Sequence, residues 1–173
     1  MPHSTQPNAL DALVRELDVL IRARYPLIAV NTFEEVRFRR LIAAVANLER
    51  HRAKGLFVWS RTHGLHQIAG PGLGPHDRAI PDTEDPLSVL EHIDQAERGL
   101  FVLCDYAPYL APFGQEEPQL VRRLRELAWT IKIRPTSEVK REEIEELRKW
   151  AREHLAIDAV KGHPTTGDRY LEV

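Results

Sequence analysis

Asp105 has the strongest claim to chemistry in this chain. It follows the strand-sized apolar run from Leu100 to Cys104, and a carboxylate at the carboxyl end of a buried strand can hold magnesium beside a nucleotide. Such a site needs a second part, a glycine-rich turn whose backbone N–H groups cradle the phosphates and a lysine that reaches them. The run placed to supply it, Leu27 to Val30, leads instead into Asn31, Thr32, Phe33, Glu34, Glu35, Val36 and Arg37, with neither glycine nor lysine. Two carboxylates therefore stand where a triphosphate would sit. Asp105 is kept as the candidate for nucleotide or magnesium, against a structural role as a cap or loop anchor. No catalytic residue, metal centre or cofactor is expected.

The other residues with chemical potential are weaker as catalysts and better as contacts. Cys104 lies at the end of an apolar strand, where a thiol is expected to be buried and inert. His63, His66 and His76 share a glycine-rich stretch, but their spacing matches no compact metal site and no carboxylate cluster completes it. The stretch from Gly70 to Gly74 precedes no helix, which weakens any claim to phosphate. Tyr106, Tyr109 and Phe113 fall in a proline-rich loop just past Asp105, with Arg122, Arg123 and Arg125 on the helix that follows. Tyrosine and arginine dominate interface hot spots, and loops beyond strand ends gather ligands. These six residues are the expected interaction face. The opposing reading is that the rings pin their loop and the arginines form a solvated, ion-paired helix face.

Composition narrows the partners. The chain has 173 residues, 43% hydrophobic and 29% charged, enough for a real core. Its 24 basic and 26 acidic residues give a net charge of -2, so no global field holds a phosphate backbone and nucleic acid is disfavoured. No apolar stretch approaches the roughly 20 residues of a membrane helix, and the N-terminal residues lack the pattern of a signal peptide. One cysteine excludes an internal disulfide. A cytoplasmic, reducing setting and a protein partner, with self-association as one form of it, are the expectations.

The elements that must position these residues alternate. Residues 1–8 read as a flexible tail. Leu10, Leu13, Val14, Leu17, Leu20 and Ile21 stripe a first helix, with Asn8 and Asp11 placed to cap it. Leu27 to Val30 reads as a buried strand, and Thr32 with Glu35 has capping-box spacing for a second helix ending near Gly55. Leu56 to Trp59 repeats the strand signal. Residues 61–85 read as an irregular insertion with a short hairpin through Leu65 to Ala69. Asp85 and Pro86 start a third helix, closed by Gly99. After Leu100 to Asp105 comes a helix over about 118–132, then a charged helix to about Leu155. Strand-like runs at 157–160 and 169–173 follow, the second an edge strand or part of something longer. Strand-then-helix units in series predict an α/β fold of three layers, a mainly parallel sheet with flanking helices.

The ordered series Leu20 to Glu35, Leu56 to Trp59 with Gly64 and Leu65, Asp85 to Leu87, Leu100 to Asp105 and Val121 to Arg125 resembles the region preceding the ATPase module in the AAA+ proteins of the plastid and bacterial conserved-reading-frame family. The resemblance covers roughly residues 9–132. It implies a degenerate P-loop-like α/β domain over those residues, with the Leu100 strand beside the Leu27 strand and the Leu56 strand at or near an edge. Residues 133–173 depart from the pattern and are expected to add a charged helix and short strands, completing the same domain. The phosphate loop, Walker acids and arginine finger of that family belong to a module this chain lacks. The resemblance thus favours a non-catalytic regulatory or protein-interaction domain. The alternative is a nucleotide-binding enzyme or ATPase fragment with an unorthodox phosphate site built from Asp105 and the arginines.

Overall fold

A computed structural model describes residues 9–110, 118–133 and 141–154. The described residues fall into two compact units, 9–41 with 141–154, and 42–110 with 118–133. The elements are α1 (Ala9–Arg22), α2 (Glu35–Ala46), β1 (Leu56–Ser60), β2 (Gly64–Ala69), β3 (Arg78–Ile80), α3 (Pro86–Gln95), β4 (Leu100–Leu103), α4 (Pro118–Ile133) and α5 (Arg141–His154). Helix α2 carries the chain from the first unit into the second. No described helix is long and apolar enough to cross a membrane.

In the first unit α1 packs against α5. Helix α1 ends in a Schellman motif: the Tyr25 N–H donates to the Leu20 carbonyl and the Arg24 N–H to that of Ile21. Arg24 takes the left-handed position, φ 58°, that glycine usually fills. The end is held from outside by α5, where Arg148 donates to the Ala23 carbonyl at 2.9 Å and Glu143 pairs with Arg22 at 2.7 Å. Burial, and then the neighbouring Arg148 guanidinium, draw the Arg24 pKa below its usual value.

The second unit carries a four-stranded sheet in the order β3-β2-β1-β4. Only β1 and β4 run parallel, from Leu56 opposite Leu100 to Trp59 opposite Leu103. The β1-β2 and β2-β3 pairs are antiparallel. The fold is α/β as expected, but the sheet is mixed rather than mainly parallel. The insertion after Ser60 causes the difference. His63 N–H closes a tight turn onto the Ser60 carbonyl, and Gly64 follows at φ 68°, so the chain doubles back. A side chain on Gly64 would also meet Thr83 Oγ1 at 3.0 Å.

Two strand placements need correction. Leu27–Asn31 is not a strand: no ladder includes it, and Leu27 and Val30 are 41% and 46% exposed. The Leu56 strand lies inside the sheet between β2 and β4, and β4 stands at its end. Apolar length alone suggested burial for Leu27–Val30, whereas a strand also needs a neighbour to satisfy its backbone. The strand-like runs at 157–160 and 169–173 lie outside the described residues, as does Asn8.

The helix signals fared better. Asp85 caps α3 by accepting from the Leu87 and Ser88 N–H groups, with Pro86 at the first helical position. Gly99 is not its C-cap. The helix closes at Ala96, whose N–H reaches the His92 and Ile93 carbonyls. Gly99 instead leaves room for the Phe101 ring, which a side chain there would meet at 2.3 Å. Phe101 stacks on Phe57 across the parallel pair, ring centres 4.9 Å apart. Helix α2 stops at Ala46, short of Gly55, and gives way to a single 3-10 turn over Glu49–His51.

The core of this unit forms where the sheet meets α3 and α4, around Trp59, Leu65, Val89, Leu90, Leu120 and Leu127. Thr83 ties its strands together. Its hydroxyl donates to the Ile80 carbonyl at 2.7 Å and accepts from the Leu65 N–H at 2.8 Å, while its carbonyl accepts from the Trp59 indole. Thr83→Val keeps the shape but orphans a buried donor and an acceptor. It is expected to lower unfolding free energy by about 1–3 kcal/mol, measured by urea denaturation.

Candidate functional site

The residues flanking β4 were the expected site, and the structure gives most of them internal work. Asp105 is exposed and sits at φ 51°, the left-handed region that aspartate tolerates better than most residues. It forms the corner from β4 into a 3-10 turn over Ala107–Tyr109. Among the described residues no cluster of three or more acidic, histidine or cysteine side chains could hold a metal ion. His66 donates through Nε2 to the His63 carbonyl at 2.9 Å, a local loop contact. Cys104 lies one residue past β4 and is half-buried, not the buried strand thiol the sequence suggested.

Tyr106 turns inward. It is buried in the core, its hydroxyl donates to the Pro86 carbonyl at 2.8 Å, and its ring meets Trp59 edge-on with centres 5.3 Å apart. Tyr109 joins this group, 5.6 Å from Tyr106 and 6.3 Å from Trp59. Tilted and edge-to-face rings bring positive edges to negative faces, a gain of about 0.5–1.5 kcal/mol per pair beyond area burial. Phe113 lies outside the described residues.

The arginines are engaged as well. Arg123 Nη2 reaches Asp94 Oδ2 at 2.9 Å, linking α4 to α3. Arg122 pairs with Glu126 one turn on, at 2.6 Å, and Arg125 also makes an interaction within the chain. Arg123 and Asp94 are each less than a third exposed, so this pair orients the two helices more firmly than the exposed Arg122 pair. What the structure brings together here is a packed ring cluster with a partly buried ion-pair strut.

The turn after Leu27–Asn31 has its own arrangement. Thr32 Oγ1 accepts from the Glu34 N–H at 3.0 Å, taking a donor that a phosphate would need. Thr32 thus closes a turn just ahead of α2, whose first carbonyl, that of Glu34, accepts from the Phe38 N–H, rather than capping the helix through Glu35 as the capping-box spacing implied. Glu34 bonds Arg37 at 2.8 Å and Glu35 bonds Arg39 at 2.7 Å. Beside them an open depression of about 650 Å³ is lined by Leu10, Phe33, Val36, Arg37, Arg40 and the two glutamates. Phe33 is fully exposed and Val36 is 66% exposed. Val36 falls at helical spacing with Leu41, Val45 and Leu48, a stripe that reads as the face packed on a sheet, yet of the first three only Leu41 and Val45 are buried.

A smaller hollow of about 330 Å³ lies between the β1 and β2 ends and Arg52. Gly70, at φ 116°, passes so close to Gly55 that a side chain would meet its Cα at 2.4 Å. The glycine-rich stretch is therefore a close backbone crossing at the sheet end.

These features fit what comparison of the sequence finds. Residues 13–140 match the model of the SpoVK-like AAA ATPase N-terminal domain. The chain belongs to that family. It is 30% identical over 121 residues to an uncharacterized AAA domain-containing protein, ycf46, of Pyropia yezoensis, covering 68% of this chain and 22% of that protein. It is 29% identical over 124 residues to the ycf46 protein of Guillardia theta, covering 70% and 22% respectively. The matches thus span about a fifth of these relatives. No solved structure matches significantly.

The backbone at Asp105 provides a test of its role. Asp105→Gly is expected to leave stability unchanged or raise it by up to about 1 kcal/mol, whereas Asp105→Val should lower it by about 1–2 kcal/mol. Thermal melting of the two variants checks the ordering.

Proposed function

We propose that this chain is a non-catalytic regulatory or protein-interaction domain that acts beside an AAA ATPase module, with no phosphate chemistry of its own. The observation that carries this reading is the turn from Asn31 to Glu35. The Glu34 N–H is bonded to Thr32, two carboxylates face solvent, and no glycine or lysine is present. An anion brought there would meet like charge and a donor already used. Family membership supports the reading, because the matching model describes an N-terminal domain distinct from an ATPase module. Asp105 lends the enzymatic alternative little support, since its exposed left-handed position is accounted for by the turn it makes.

The interaction reading also moves away from the β4 loop. Tyr106, Tyr109 and Arg123 are bound within the domain, so exposing them to a partner would cost contacts already formed. The apolar side chains at the start of α2 have no such commitment in the described core.

Titration calorimetry of the full chain with ATP and with GTP, each with magnesium, is expected to show no saturable binding, and a coupled assay no steady phosphate release. Turnover abolished by Asp105→Ala with the fold intact would replace this reading with the enzymatic one.

A further inference from the structure

We draw no further inference here: the strongest candidate, the open apolar depression at the first turn of α2 lined by Leu10, Phe33, Val36 and Arg40, carries none because nothing in the structure shows what covers it.

Discussion

Trp59 is the constraint around which the second unit is arranged. It is fully buried on the strand that lies between an antiparallel and a parallel neighbour. A buried indole must find an acceptor, and here it is the Thr83 carbonyl at the end of the insertion. That bond fixes the return of the chain after β3 and so brings the Thr83 hydroxyl between Leu65 and Ile80. On its other side the indole receives the edges and faces of Tyr106 and Tyr109, which sets the course of the chain after β4. Tyr106 then reaches the Pro86 carbonyl at the first turn of α3. One large side chain thereby links the insertion, the turn after β4 and the start of α3.

Such a link changes the meaning of the residues after β4. Read along the chain, a loop with tyrosines and prolines beyond an acidic strand end has the look of a binding surface. In three dimensions the Tyr106 ring packs edge-on against the buried Trp59 while its hydroxyl is satisfied by the Pro86 carbonyl. Arg123 follows the same logic on α4. Asp94 on α3 lies within hydrogen-bond distance, and a carboxylate left there alone would be costly to keep partly buried.

Local chemistry was legible from residues whose role needs only their neighbours. Asp85 followed by Pro86 announces a helix start, since cap and ring act within one turn. The runs at 56–59 and 100–103 read as strands because their apolar length has no other use. Sheet order was not legible, because it depends on which strands meet. The hairpin read through Leu65 to Ala69 holds β2, although Gln67 weakens its pattern: its face of the strand is buried, and it carries a polar amide there, donating to the Pro71 carbonyl, where alternation would lead one to expect an apolar residue. Its Oε1 finds no protein partner, a cost that no pattern of hydrophobicity records. The Leu27 run misled in the opposite direction, since residue type reports a preference for strand and says nothing of whether a neighbour is present.

Family membership and the turn at Thr32 bear on one physical point. A phosphate-binding turn keeps backbone N–H groups pointing at empty space, a state stable only while an anion or water satisfies them. Here Thr32 accepts from the Glu34 N–H just ahead of α2, and Glu35 gives the first turn of the helix an acid that suits the positive end of its dipole. The helix gains local stability at the position where ligand chemistry would require restraint.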